Sequence, residues 1–537
     1  MTETRLALIV SILVATIVCG QSMQVAAKTY YVSVSGDDLA DGKSEKTAWR
    51  TITHAANVAK AGDVVKIKAG KYDGEHVVVA NSGTKDKPIV FEGYGGTPVL
   101  DGKDRKGRGI LLSNRQYVVI RNLKLVNYRV GVRIQNSKHV LVDKVICHDM
   151  GRGNCGYGFS ISMHSTHIVI SNCETRDCAL HGLNIMGYSH HNLIQNCTFR
   201  ITTGKKLCSD YGIYTEYAHH NTIKGCLIKD ADPELKGSRY GGGHGIALRI
   251  GSHHNKVIDC ESYNLLEAFV AGEDAHDNEF INCRAYDIAG VWKRTRHSDG
   301  LVARFGAHDN KFISCRSTGC SQGICLWTLV PLPSPCDKYV TENVQRRNLF
   351  RNCIIIDASQ YGVVLHRAAD TRIENCVFIK CNNAFTAHVT FFGPADYVPK
   401  MVRTNTVKNC IFAKINRLAG RSDKEIPSIT YCNFWKNSFD VPAGKGNISK
   451  DPLFANVAKG DFHLKSTAGR WDPKTKKFVS DTSTSPCIDA GDPKSEWKNE
   501  PAPNGGRVNI GAYGNTPEAS KSPASTDLGQ AKKGQTN

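Results

Sequence analysis

From about residue 108 to residue 415 the chain is written in short stretches of alternating apolar and polar positions, each broken by a polar corner, and one phrase keeps returning. Gly182-Leu183-Asn184-Ile185 runs through His190-His191-Asn192 to Asn196-Cys197. Gly245-Ile246-Ala247-Leu248 runs through His253-His254-Asn255 to Cys260, and Gly300-Leu301-Val302-Ala303 through His308-Asp309-Asn310 to Cys315. Alternation with period two over four or five residues predicts strands, and the Gly, Asn, Asp and His between them predict turns. The phrase-ending cysteines extend from Cys147 to Cys410, with steps as short as 23 residues (Cys260 to Cys283) and as long as 38 (Cys315 to Cys353). The short steps define one turn of a solenoid, and the long ones carry insertions. Helical solenoids need about 33 residues or more per unit and a helical hydrophobic period, which the sequence lacks. A unit of about 23 residues with two or three strands predicts an all-β parallel β-helix of about 10–12 coils.

In such a coil alternate residues point inward, so equivalent positions on successive coils stack as ladders along the axis. The cysteines predict an interior ladder of small apolar filler. Asn172, Asn196, Asn282, Asn352, Asn375 and Asn409, each just ahead of a cysteine, predict a second ladder whose amides bond one another and the backbone. One cysteine per coil is not a metal motif, which would bring close pairs. Cys155, Cys178 and Cys208 precede the coil glycine in consecutive turns; with coils about 4.8 Å apart, one disulfide among the three is sterically open, its pairing not fixed by sequence. His190, His219 and His253 recur with the turn and read as turn residues.

Arg5, the apolar run from Leu6 to Val18 and the small residues Ala26-Ala27 have the layout of a secretory signal, so residues 1–27 are expected to be removed on export; Val18 ahead of Cys19 argues against a lipid anchor. Residues 28–100 are expected to hold the N-terminal cap and first coils. There Tyr30-Tyr31-Val32, Trp49-Arg50-Thr51-Ile52 and Ala55-Ala56 read as strand, loop and a short amphipathic helix that covers the open end of the solenoid. Residues 101–440 read as the coil core. Residues 441–514 read as a C-terminal coil and cap region, with Asp451-Pro452-Leu453-Phe454, Ser485-Pro486-Cys487-Ile488 and Asn509-Ile510-Gly511-Ala512-Tyr513; residues 515–537, rich in Ser, Pro, Lys and Gly, read as a disordered tail. The two terminal regions resemble those of the pectate-lyase-like β-helix superfamily, over about residues 28–514. That resemblance implies a right-handed coil and, because many members are exported polysaccharide lyases, a carbohydrate-active protein; it reports fold and not chemistry.

A formal net charge of +19 favours an acidic partner. For an exported chain with no recognisable nucleic-acid module, the expected partner is an acidic polysaccharide, with no nucleic acid, no membrane contact and a monomeric state. No nucleotide, haem or flavin motif is present.

Aligning the coils on their glycine puts the preceding residue in one outward column: Tyr157, His181, Tyr211, His244, Glu267, Asp299, Gln322 and Tyr361. Four places after the glycine runs a parallel column: Ser162, Met186, Glu216, Arg249, Gly272, Arg304, Trp327 and His366. A solvated face would carry Lys, Glu, Ser and Thr; this one concentrates Tyr, His, Arg and carboxylates in its middle coils and predicts a binding groove. Lyases of uronate polymers need a base for the C5 proton, a neutraliser for the adjacent carboxylate and an acid for the leaving oxygen. His244, His181 and Tyr211 are the candidate base and acid, and Arg249 and Arg304 the neutralisers. Glu216, Glu267, Asp299 and Trp327, with Trp292, Arg294 and Arg296 from an insertion, are candidate substrate-binding groups; a tryptophan stacks on a sugar face while arginines hold carboxylates. Some β-helix lyases use Lys with Ca²⁺, and the acidic cluster Glu267, Glu273, Asp274 and Asp277 is the one candidate calcium site.

Two other readings stay open. Gly241-Gly242-Gly243-His244-Gly245-Ile246 resembles the Gly-His-Gly region of polygalacturonase-type hydrolases, although the Asp pair that should precede it is reduced to Asp210. A rigid extended face also suits a non-catalytic adhesin.

Overall fold

The computed structural model describes residues 27–152, 155–201, 211–230, 243–286, 298–327, 344–387, 404–420 and 426–523. The expected export signal therefore falls almost wholly outside the described residues. No helix among the described residues is long and apolar enough to cross a membrane.

Each turn of the chain lands on the one before it. Leu193 pairs in parallel with Thr222, Thr222 with Lys256 and Lys256 with Glu279. One face of the solenoid is a 13-stranded sheet, and the strands of the remaining faces join in a 27-stranded sheet. The 13 strands slightly exceed the coil number expected from the cysteine phrase. The excess arises because the first coils, at Val77–Val78 and Arg108–Ser113, carry the strand without the cysteine.

The interior is filled by the predicted ladders. Phenylalanines stack coil on coil, Phe280 on Phe312 at 4.5 Å and Phe312 on Phe350 at 4.7 Å between ring centroids. The cysteine ladder is buried, and some of its thiols also accept a backbone N–H: that of Cys353 reaches Cys376 Sγ at 3.4 Å, and that of Cys376 reaches Cys410 Sγ at 3.3 Å. Cys155 and Cys178 are free thiols, and Cys208 lies outside the described residues, so no bridge of that group is present among them. The coil glycines are required by close approach: a Cβ on Gly182 would sit 2.6 Å from Phe199 Cδ1, and one on Gly245 would sit 2.1 Å from the Ala268 carbonyl oxygen.

The asparagine ladder stands elsewhere than expected. Asn172, Asn196, Asn282, Asn352, Asn375 and Asn409 occupy left-handed corners with φ of 52–57°, a conformation Asn tolerates; only Asn409 and Asn375 bond amide to amide, at 3.4 Å, while Asn352 and Asn375 reach backbone carbonyls and Asn172 and Asn282 reach aspartates. The continuous amide ladder is the Asn of the His-x-Asn turn. Nδ2 of Asn192 donates to Oδ1 of Asn221 (2.9 Å), Asn221 to Asn255 (3.0 Å), Asn255 to Asn278 (3.0 Å) and Asn278 to Asn310 (3.0 Å), all buried.

Helix α1 (Ile52–Val58) is the expected cap; Thr51 caps its N-terminus and Ile52, Ala55 and Ala56 face inward. At the other end the chain doubles back. Phe462, Leu464, Ile488 and Ile510 cover an outward apolar stripe of Ile354, Ile356, Val377, Ile379 and Ile411 along the side of the last coils. This packing runs past residue 514: Ala519 and Ser520 are buried, so the ordered region extends beyond the point where a tail was expected.

Candidate active-site face

Seven neighbouring strands of the 13-stranded sheet build the face: β1 (Tyr157–Ser162), β2 (His181–Met186), β3 (Tyr211–Glu216), β4 (His244–Arg249), β5 (Glu267–Gly272), β6 (Asp299–Arg304) and β7 (Gln322–Trp327). The first predicted column is realised in register, from Tyr157 beside His181 through Tyr211, His244, Glu267 and Asp299 to Gln322. In the second column Glu216 lies beside Arg249, and Arg304 between Gly272 and Trp327.

Between the two columns runs a third that sequence reasoning missed: Tyr214, Ala247, Val270, Val302, Cys325 and Val364, a buried apolar strip. The signal was available, since Ala247 stands between the inward Ile246 and Leu248 and alternation turns it outward. The strip gives the charged columns a low-dielectric floor, which strengthens their interactions.

All five catalytic candidates meet on this face. The His244 ring stacks on Tyr211 at 4.7 Å, and Tyr211 meets His181 edge-on at 5.4 Å. An Arg249 N–H reaches the Tyr211 hydroxyl, and its other nitrogens clasp the Glu273 carboxylate. His244 Nδ1 stands 2.8 Å from Glu267 Oε2, bent from the line of an ideal hydrogen bond, and Arg304 Nη1 donates to Glu267 Oε1 at 2.6 Å. Burial alone would push the Glu267 carboxyl up; Arg304 and His244 override it and hold its pKa at about 2. Asp299 behaves in the opposite way. It is fully buried, neither carboxyl oxygen has a hydrogen-bond partner, and burial first and the Glu267 charge second push it well above the carboxylate range. Their surroundings thus push the two carboxyls in opposite directions, Glu267 toward the anion and Asp299 toward the acid, one strand apart.

His181 is less suited to proton transfer than the sequence suggested. Burial lowers its pKa to about 3, and its ring stacks on Tyr214 at 4.7 Å, so it is a neutral wall of the face. Exposure separates the remainder: the His244 and Arg249 side chains are 16% and 21% exposed, whereas Glu267 and Arg304 are 4% and 8%. Arg304, expected to neutralise substrate, is spent on Glu267. Glu216 accepts from the Tyr214 hydroxyl at 3.4 Å, and Trp327 packs beside Phe305. Trp292, Arg294 and Arg296 lie outside the described residues. The calcium candidates do not converge: Glu267 and Glu273 each hold an arginine, and Asp274 faces His308 at 3.5 Å. Among the described residues they form no common ligand set. A concavity of about 1030 Å³ lies elsewhere, between the coils and the C-terminal region, and includes none of these groups.

Residues 30–246 match the family model described as a Pel9A-like, right handed beta helix region, residues 233–393 that of a right handed beta helix region, and residues 336–491 that of a disaggregatase-related family. A curated relative, the uncharacterized protein YwoF of Bacillus subtilis (strain 168), is 45% identical over 64 residues, which is 12% of this chain and 13% of the relative's length. Similar solved structures include a GH136 lacto-N-biosidase from Eubacterium ramulus (15% identity, 67% of each chain, TM-score 0.42) and pectate lyase Pel9A (13%, 91% of this chain and 96% of that one, TM-score 0.37). A third is a mannuronic acid specific polysaccharide family 6 lyase from human gut microbiota (12%, 74% and 88%, TM-score 0.49). Identities this low leave the chemistry of this chain to its own residues. With its stacked parallel strands and matches to two right-handed β-helix models, over residues 30–246 and 233–393, the chain has the right-handed parallel β-helix fold.

Proposed function

We propose that this chain is an exported enzyme that cleaves an acidic, uronate-containing polysaccharide by β-elimination, with His244, Tyr211 and Arg249 as the reacting set. The observation that carries the reading is the chain of contacts from buried, ionised Glu267 to His244, from His244 to Tyr211 and from Tyr211 to Arg249. Glu267 engages Nδ1 of His244 and so leaves Nε2 as the basic nitrogen, the arrangement a general base needs. His244 takes the C5 proton, the C4–O bond breaks as the C4=C5 double bond forms, and the Tyr211 hydroxyl gives its proton to the departing oxygen. Arg249 stabilises the tyrosinate that results. A guanidinium has five N–H groups, and those not used on Glu273 and Tyr211 remain for the sugar carboxylate. Arginine thus takes the part that calcium plays in other lyases, and activity is expected to survive chelation.

A second reading, glycoside hydrolysis, is favoured by Glu267 and Asp299, neighbouring carboxyls held in opposite protonation states. Their burial ranks it behind, because substrate meets His244 and Arg249 first. Incubating the protein with pectin, alginate and glycosaminoglycans, with and without chelator, separates the two. Ultraviolet absorbance of unsaturated uronate rising with new reducing ends supports elimination. Reducing ends alone move the chemistry to the carboxyl pair, and neither signal leaves the face as a binding surface.

A further inference from the structure

The corner that follows the strands of the candidate face is built largely of imidazole. After each face strand the chain turns a corner with two neighbouring outward positions. The first, half-buried, is held by His190, His219, His253, His276 and His308, bridged coil to coil and stacked with ring centroids 4.8–5.0 Å apart. The second, exposed for most of its length, runs through His191, His220 and His254, stacked at 5.2 and 5.0 Å, and continues as Asp277 and Asp309. Across each corner the ring nitrogens face one another: Nδ1 to Nδ1 is 2.7 Å in His190–His191, 3.0 Å in His219–His220 and 2.9 Å in His253–His254. In the next two coils a carboxylate takes the second place, with His276 Nδ1 2.9 Å and His308 Nδ1 2.8 Å from the adjoining Asp Oδ2.

The fold explains only part of this. The second position requires φ near +54°, which His and Asp tolerate, yet Tyr117 and Arg347 meet the same requirement in flanking coils. The first position carries no such constraint, and Lys138, Thr166 and Arg346 fill it outside the histidine run. The backbone does not ask for imidazole there. Two imidazole nitrogens 2.7–3.0 Å apart share one proton in an N–H···N hydrogen bond, a proton that a metal ion can replace. On one tetrahedral zinc ion, with each nitrogen about 2.0–2.1 Å from it, the two would stand about 3.3–3.4 Å apart, a small opening of the pair.

We propose that this edge binds divalent transition-metal ions of the imidazole-preferring class, Zn²⁺ foremost, with its best-formed position where His254, His276 and Asp277 each bring a ligand atom within 4.8 Å of the others. Two nitrogens and a carboxylate oxygen leave a fourth tetrahedral place for water, and the aspartate supplies negative charge that the all-imidazole coils lack. The corner pairs at His190, His219 and His253 provide further two-nitrogen positions along the same edge, so that ions would be held in a row with the coil spacing. The inference is independent of the cleavage reading.

The test is calorimetric titration of the chelator-treated full chain with Zn²⁺, and with Co²⁺ for its visible spectrum. Saturable binding and a four-coordinate Co²⁺ spectrum are expected. His254→Ala with His276→Ala should weaken the tightest site at least tenfold and abolish that spectrum, while His76→Ala, away from the edge, should change neither. Circular dichroism and melting verify folding; Asp277→Asn, which keeps the left-handed corner, carries the test if the double variant does not fold, and should weaken the site severalfold. No saturable uptake by the wild type, or uptake unchanged in the edge variants, overturns the proposal.

Discussion

The buried asparagine ladder and the outward column of the candidate face pass through the same coils and differ in what they repeat. Along the ladder, Asn192, Asn221, Asn255, Asn278 and Asn310 are identical because each amide bonds the next in the same way. Along the face, His181, Tyr211, His244, Glu267 and Asp299 put unlike residues on every pair of neighbouring rungs, although the backbone register is just as regular. Where a coil needs only its neighbour, one residue type suffices; where groups must transfer protons or hold opposite charges, each rung takes its own residue.

The contrast can be broken most sharply at His244 and His253, one on the face and one on the histidine edge. His244→Ala should lower kcat by about 10²–10⁴-fold, the range for loss of a positioned proton-transfer group, with melting unchanged; His253→Ala should leave kcat unaltered. Equal losses in the two would erase the distinction. Glu267→Gln should come next, with kcat down about 10-fold or more, because His244 loses the anion that orients it. Its effect on stability also has a sign. The carboxyl pKa is depressed from 4.5 to about 2 on folding, so its stabilisation is present above pH 4.5 and is lost as pH falls toward 2. Acid denaturation curves of wild type and E267Q should therefore converge below that window.

On the ladder the expected result is reversed. Asn255→Ala leaves the buried Asn221 backbone N–H without its acceptor and removes the amide's bonds to Ala218 and Asn278, and should cost about 1–3 kcal/mol in chemical denaturation, with turnover per folded molecule unchanged. The smallest effect is expected at Asp299→Asn. Folding forces this carboxyl to keep a proton that the unfolded chain releases above its ordinary value of 3.8, so stability declines as pH rises above 3.8, and the amide removes that slope. D299N should match or exceed the wild type in melting at pH 8 and remain active; abolished activity would instead favour the hydrolase reading.

The repeat was legible because its causes are local and recur. Cysteine spacing and period-two alternation gave the coil, the face strands and the register that brings Tyr211, His244 and Arg249 together. What escaped the sequence depends on contacts between coils. Nothing local distinguishes Arg249, with its hydroxyl partner and outer edge, from Arg304, absorbed by Glu267, nor an anionic Glu267 from a neutral Asp299. The amide ladder was assigned to Asn196 rather than Asn192 because both recur once per coil, and only the backbone conformation shows which is a left-handed corner and which is buried. The C-terminal return over Ile354 and Ile379 pairs segments more than 80 residues apart, and no periodicity reports it.

The unequal cysteine steps, 23 residues in one coil and 38 in another, leave the strand spacing unchanged. The solenoid therefore behaves as a ruler to which corners of any length can be attached without moving its graduations. A lineage carrying such a chain can exchange the loops at its corners while His244, Tyr211 and Arg249 keep their mutual distances. Recognition and reaction are free to change at different rates.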